Sequence, residues 1–69
     1  MRRRHIEILV KDIRLAQNMS LSKLSQKSGV SITHINDVEN NQKGPSLMVM
    51  VKLAKALGVQ ITDLYIVKW

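Results

Sequence analysis

The chain has 69 residues, 45% of them hydrophobic, with no cysteine and a formal net charge of +6. This length predicts one domain with a small core and leaves no room for a catalytic lobe. The absence of cysteine excludes a disulfide framework and a thiolate zinc site, and it favours a reducing cytoplasm. The longest apolar run, residues 47–51, is far too short to span a membrane, so we expect a cytoplasmic protein.

Positive charge is concentrated at the start of the chain. Residues 1–8, here called the basic arm, contain three consecutive arginines, whereas the lysines are scattered. Such a balance favours a polyanion or an acidic membrane surface as partner. Three arginines without an adjacent amphipathic anchor give only marginal membrane binding, so no membrane partner is expected.

The first eighteen residues allow two interpretations. Apolar residues at 6, 9, 10 and 13 form a helical stripe, whereas the alternation from His5 to Leu9 fits a strand. We predict a helix from about Leu9 to Asn18, and residues 1–8 stay undecided between helix, strand and disorder.

The segment from residue 20 to residue 39 predicts two short helices separated by a turn. Ser20 and Ser31 are N-cap residue types, and Gly29 can take a positive φ at little cost. Ile35 and Val38 then share one face of the second helix. The predicted helices are Leu21 to Ser28 and Ile32 to Asn40. Their arrangement is that of a helix-turn-helix, which presents its second helix to a DNA major groove.

The rest of the chain predicts a loop, two more helices and a tail. Pro45 ends a polar loop, Ser46 caps a helix from Leu47 to Leu57, and Gly58 stops it. A short last helix from Ile61 to Tyr65 follows. The apolar tail, residues 66–69, is long enough for a strand against residues 5–9 of the same chain or of a second copy.

With these segments placed, the sequence resembles the lambda-repressor-like, Cro-type (XRE) helix-turn-helix family from about Leu9 to Tyr65. The resemblance is carried by Ile13-Arg14, by SLSKLSQKSGVS, by the spacing of Ile35, Val38 and Glu39, and by GPSL, KLAKALGV and ITDLY. It implies an all-α, compact five-helix bundle, with short terminal strands as the alternative for the chain ends. It also implies a DNA-binding, usually dimeric transcription regulator.

The resemblance assigns base reading to the helix after Gly29. The implied base-reading residues are Ser31, Ile32, Thr33, Asn36 and Asp37, with His34 adjacent. Thr33 can contact a thymine methyl group, and Asn36 can pair with adenine. Asp37 can accept a hydrogen bond from cytosine but repels phosphate. Because this helix has a formal charge of −2 and no Lys or Arg, phosphate attraction must come from elsewhere.

Phosphate contacts are expected around this helix and on the basic arm. The expected residues are Ser20, Leu21, Lys27, Asn40, Gln42, Lys43, Arg2, Arg3 and Arg4. Leu21 stands where relatives commonly have a phosphate-holding Gln, so only backbone N–H groups remain there. The family's Arg–Glu pair corresponds to Arg14 and Glu39, which we predict to fix the recognition helix against the first helix.

We therefore expect a sequence-specific transcriptional regulator, a repressor, that binds double-stranded DNA as a symmetric homodimer. Its half-sites would lie roughly 34 Å apart or a multiple of that. The alternative is a protein-interaction or dimerisation module with the same fold. His5 and His34 have no third ligand at a useful spacing, and residues 34–37 form no triad, so we expect no enzyme activity, metal, cofactor or small-molecule ligand.

Overall fold

The computed structural model describes residues 5–41 and 45–68. Within these ranges it contains four α-helices, one 3-10 turn and one two-stranded antiparallel sheet. The elements in chain order are β1 (His5–Ile8), α1 (Val10–Ala16), α2 (Leu21–Ser28), α3 (Ile32–Asn41), α4 (Leu47–Leu57), the 3-10 turn (Ile61–Leu64) and β2 (Tyr65–Lys68). The predicted phosphate contacts Arg2, Arg3, Arg4, Gln42 and Lys43, and the tail residue Trp69, lie outside the described residues.

The two ends of the chain pair with each other. His5 lies opposite Lys68 and Ile8 lies opposite Tyr65, so β1 and β2 form one antiparallel ladder. The backbone N–H of Leu9 donates to the Leu64 carbonyl at 2.7 Å and extends this link into the helical body. The strand interpretation of residues 5–8 is therefore confirmed, and the tail pairs with its own chain.

The architecture is mostly helical rather than all-α, and the five-helix count is not confirmed. The expected last helix is a single 3-10 turn, because Tyr65 already has extended φ and ψ angles of −149° and 155° and belongs to the sheet. Helix α1 ends at Ala16, two residues before the expected end. Asn18 has a φ of 54°, which is incompatible with a continuing right-handed helix.

A single core joins all the elements. The largest fully buried side chains are Val10, Leu24, Ile35, Leu53 and Leu64. Burying each such aliphatic side chain contributes about 1.5–3 kcal/mol, so packing rather than helix propensity stabilises these short helices. No helix in the described ranges has both the length and the apolar character needed to cross a bilayer.

The turn between α2 and α3 is held by local hydrogen bonds. Gly29 has a φ of 77°, the left-handed conformation that closes α2. The Ser25 hydroxyl donates to the Val30 carbonyl at 2.6 Å, and the Val30 N–H donates to the Ser28 hydroxyl oxygen at 3.1 Å. These bonds fix where α3 begins relative to α2.

Candidate nucleic-acid interface

Helix α3 has one buried face and one exposed face. Ile35, Val38 and Glu39 point into the domain, and their side chains are buried. The exposed residues are Ser31, Ile32, Thr33, His34, Asn36, Asp37 and Asn40. All six predicted base-reading residues are thus exposed to solvent, five of them on α3 and Ser31 directly before it.

The first turn of α3 is capped by Ser31. The Ser31 hydroxyl oxygen accepts a hydrogen bond from the His34 N–H at 3.1 Å, and the Ser31 carbonyl accepts from the Ile35 N–H at 2.9 Å. Ser31 therefore has a structural role besides the predicted contact with DNA. Next to it, the Ile32 side chain is 46% exposed, an apolar group available for contact with a thymine methyl.

Asn36 and Asn40 lie one helical turn apart on the exposed face. The side-chain amide of Asn40 donates to the Asn36 Oδ1 at 2.7 Å. An adenine contact requires the Asn36 amide to donate to N7 and its oxygen to accept from N6. Since the oxygen has two lone pairs, the bond from Asn40 can orient Asn36 without blocking that contact. Asn40, predicted to contact phosphate, is in this structure a partner of Asn36.

The beginning of α2 offers backbone hydrogen-bond donors. The Ser20 hydroxyl oxygen accepts from the Lys23 N–H at 3.0 Å, and the Leu21 side chain packs against the core. The first N–H groups of a helix lack intrahelical partners, and the helix dipole favours an anion there. Ser20 and Leu21 can therefore contribute to phosphate binding through backbone groups, as expected, while the Leu21 side chain takes a packing role.

Lys27 lies at the other end of α2. Its side chain lines an open cleft of about 570 Å³, which we call the basic cleft. The lining residues are Gln17, Lys27, Ser28, Lys52, Lys55, Ala56, Leu57 and Gly58. Lys27 is thus separated from the exposed start of α2 by almost the full length of that helix.

Arg14 and Glu39 form a buried bidentate ion pair between α1 and α3. The Nε of Arg14 donates to Oε2 of Glu39 at 2.8 Å, and the second guanidinium nitrogen, Nη2, donates to Oε1 at 3.0 Å. Their side chains are only 8% and 2% exposed. The hydrogen bonds to Glu39 raise the pKa of Arg14 against the opposing effect of burial, so Arg14 stays charged.

The same guanidinium also binds the connection before α2. The Nη1 of Arg14 donates to the Met19 carbonyl at 2.8 Å. One side chain therefore links α1, the start of the helix-turn-helix and the buried face of α3. Because two charges removed from water are stable only when their hydrogen bonds are satisfied, this geometry allows little freedom in the tilt of α3.

No three His, Asp or Glu side chains come together among the described residues in a way that could hold a metal ion. His34 shares the exposed face of α3 with Asp37, and these two residues alone do not make a ligand set. Helix α3 itself has Asp37 and Glu39 and no basic residue. The site is therefore chemically suited to hydrogen bonding and apolar contact, with little charge attraction of its own.

Several contacts and groupings on these surfaces were not predicted from sequence. The Asn36 and Asn40 pair has an i, i+4 spacing that signals contact on a helix. Lys52 and Lys55 have an i, i+3 spacing that places them on one face. The hydrogen bond from Ser25 to Val30 has no such signal, because it depends on how the turn folds back.

Comparison with known proteins identifies relatives over most of the chain. A family model described as helix-turn-helix matches residues 10–64. The control protein C.BamHI of Bacillus amyloliquefaciens is 43% identical over 56 residues, which are 80% of this chain and 69% of that protein.

Solved structures with the same fold include two bacterial proteins. The restriction-modification controller protein C.AhdI from Aeromonas hydrophila matches with a TM-score of 0.73 and 30% identity, covering 78% of this chain and 82% of that one. The N-terminal DNA-binding domain of SinR from Bacillus subtilis matches with a TM-score of 0.72 and 29% identity, covering 78% and 80%.

The ion pair generates a stability prediction. Glu39→Gln should cost about 3–5 kcal/mol, because it leaves the Arg14 cation buried without a counter-charge. This is comparable with the entire stability of a domain of this size. The double variant Arg14→Met/Glu39→Met should cost less than Glu39→Gln alone, since no unpaired charge remains. Urea unfolding followed by circular dichroism measures both, and a double variant less stable than Glu39→Gln would contradict this role.

Proposed function

This chain belongs to the lambda-repressor-like, Cro-type (XRE) helix-turn-helix family, and we propose that it is a sequence-specific DNA-binding regulator with α3 in the major groove. The proposal is carried by one observation: α3 exposes a row of polar and apolar side chains while a buried bidentate ion pair holds its opposite face. A rigid helix with an uncovered outer face fits the groove of B-form DNA.

Thr33 and Asn36 are the proposed base-reading residues with the clearest chemistry. Thr33 supplies a methyl group for thymine and a hydroxyl for a hydrogen bond. Asn36, oriented by Asn40, supplies the donor and acceptor pair that matches adenine. Ile32 adds apolar contact, and Ser31, His34 and Asp37 complete the proposed set.

Phosphate attraction in this proposal comes from residues around α3. The start of α2 supplies backbone N–H groups, and Lys23 is exposed on its first turn. Gln42, Lys43 and the basic arm retain their proposed phosphate contacts on sequence grounds. Because α3 exposes Asp37 and no Lys or Arg, base contacts make a larger share of the binding energy than in a helix with several arginines.

We further propose a symmetric homodimer formed through the first half of α4. Leu47, Met48 and Val51 share a face there and are 73%, 63% and 44% exposed. A second copy is the proposed occupant, because α4 follows α3 after a short loop, so a self-contact at this face fixes the distance between two recognition helices. A two-fold DNA site demands such a fixed distance.

Repression and a cytoplasmic location are parts of the same proposal. A domain seated in the major groove excludes other proteins from that stretch of DNA, which supports a repressor. C.BamHI and C.AhdI are named control and controller proteins, which supports transcriptional control without indicating a target.

The alternative, a protein-interaction module, is favoured by the acidic charge of α3 and by the exposed apolar face of α4.

The test of DNA reading begins with selection of bound sequences from a random duplex pool. The wild-type chain should enrich one motif. Thr33→Ala and Asn36→Ala should each weaken binding to that motif by about 1–3 kcal/mol and relax the preference at one base pair. Lys43→Ala should weaken binding evenly on all sequences and lower the salt slope by about 1.

These three variants serve as controls for one another, since Lys43 is assigned to phosphate and the other two to bases. Equal losses on the selected and random duplexes for all three would contradict the assigned roles. Absence of any enriched motif at low salt would support the interaction-module alternative instead.

The dimer is tested by placing a charge on the α4 face. Met48→Glu should convert the dimer to monomer, because it would bury an unpaired carboxylate in an apolar contact. The matched control is Val67→Glu in the sheet, where Val67 is 40% exposed, and it should leave the dimer intact. Sedimentation equilibrium measures the mass, and dissociation by Val67→Glu with Met48→Glu still dimeric would overturn the proposed interface.

A further inference from the structure

The basic cleft brings together three lysines from two helices. Lys27 comes from the last turn of α2, and Lys52 and Lys55 come from one face of α4. No Asp or Glu side chain lines the cleft. A cleft of about 570 Å³ that is lined by three lysine ammonium groups and no carboxylate attracts an acidic ligand.

None of these three lysines forms an ion pair with another described residue. The ion pairs among the described residues join Arg14 to Glu39 and Lys68 to Glu7. The folded domain thus leaves the positive charge of the cleft without a carboxylate partner in the described part of the chain. The charge is available to a partner molecule.

Helix ends shape the kind of anion that fits. Helices α2 and α4 both end at this cleft, and their last carbonyls carry partial negative charge. Gln17 satisfies one of them, since its amide donates to the Leu57 carbonyl at 2.8 Å. The partial negative charge of the two helix ends opposes a small anion held between them, whereas an extended acidic chain can place its carboxylates at the ammonium groups of the three lysines.

The apolar part of the cleft lining adds a second requirement on the ligand. Ala56, which is partly buried, and the methylene groups of the lysine side chains contribute apolar surface to the lining, whereas the Leu57 side chain is 4% exposed and belongs to the core. A peptide with acidic residues interspersed with small aliphatic ones can contact both the ammonium groups and this apolar surface. A nucleic-acid backbone offers charge without the aliphatic groups.

The cleft is also separated from the proposed phosphate site at the start of α2. Helix α2 begins at the proposed phosphate site and ends at the cleft about 12 Å further along, given its eight residues. Helix α4 begins after the α3–α4 loop and ends at the cleft about 16 Å away, given its eleven residues. The cleft therefore lies at the ends of α2 and α4, opposite to the proposed phosphate site at the start of α2.

We propose that the basic cleft docks an acidic, aliphatic-containing segment of a partner protein while α3 is bound to DNA. The attraction to acidic peptide follows from the cleft itself, and only its position away from DNA rests on the proposed function. This surface gives a DNA-bound regulator a site for a protein partner. It also assigns Lys27 to that partner in place of a phosphate.

A labelled peptide tests the proposal directly. The probe is a short fluorescein-labelled peptide rich in glutamate and alanine, measured by anisotropy with the full chain. Lys52→Gln/Lys55→Gln should weaken its binding roughly fivefold to tenfold, as expected for the loss of two ion pairs. A peptide with glutamine in place of glutamate should show a comparable loss.

The matched control is Lys11→Gln/Lys23→Gln, which removes the same charge from exposed positions outside the cleft. It should change peptide binding less than twofold, a margin that separates local contact from net charge. Circular dichroism should show both double variants folded, since all four side chains are exposed. Equal weakening by the two double variants would overturn the proposal.

DNA binding by the same proteins separates the two proposals. The cleft variant should keep the wild-type salt slope on a selected duplex, and a peptide–protein–DNA complex should form. A salt slope reduced by about 2 in the cleft variant would make the cleft a phosphate-binding surface and overturn the proposal. Failure of the wild-type chain to bind DNA, with cleft-dependent peptide binding intact, would overturn only the regulator function.

Discussion

The ion pair between Arg14 and Glu39 is the constraint on which the arrangement of the domain depends. Its guanidinium contacts α3 through Glu39 and the α1–α2 connection through the Met19 carbonyl, so three segments share one buried side chain. Apolar packing alone tolerates small rotations of a short helix, because dispersion contacts have little directionality. A bidentate bond between buried charges is directional, and movement away from it leaves an unpaired charge in the core. The exposed face of α3 is therefore set by an interaction on its hidden face.

Charge and burial divide the molecule into surfaces with different chemistry. Helix α3 exposes hydrogen-bonding and small apolar groups without a cation, whereas Lys27, Lys52 and Lys55 surround a cleft at the other ends of α2 and α4. The terminal sheet ties the chain ends together, and its outer Glu7–Lys68 pair, with a 2.7 Å separation, lowers the pKa of Glu7. Because this pair is exposed, it contributes little to stability, and the ladder and the core beneath it hold the ends. The net charge of +6 is thus not a property of the recognition helix.

The sequence predicted the elements with local signals and missed those decided by distant contacts. Ser20, Gly29, Ser46 and Gly58 are caps with a strong local preference, and α2 and α4 have the predicted bounds. Residues 5–8 stayed ambiguous because an apolar repeat of that length fits a helix or a strand, and only pairing with residues 65–68 decides between them. The same pairing shortened the expected last helix to a 3-10 turn.

The Arg14–Glu39 pair was predicted from family resemblance, since no spacing rule connects residues 25 positions apart. The basic cleft required the packing of α2 against α4 to be known.

In the proposed function, the outer face of α3 contacts base pairs while the remainder of the domain fixes the angle of this helix. The most direct measurement is a titration of the ¹⁵N-labelled chain with a selected duplex, followed by amide chemical shifts. We expect the largest changes at residues 31–37 and at the start of α2, with small changes at residues 52–58 and in the sheet. Changes concentrated at the basic cleft or the sheet, with residues 31–37 unaffected, would contradict the proposed function.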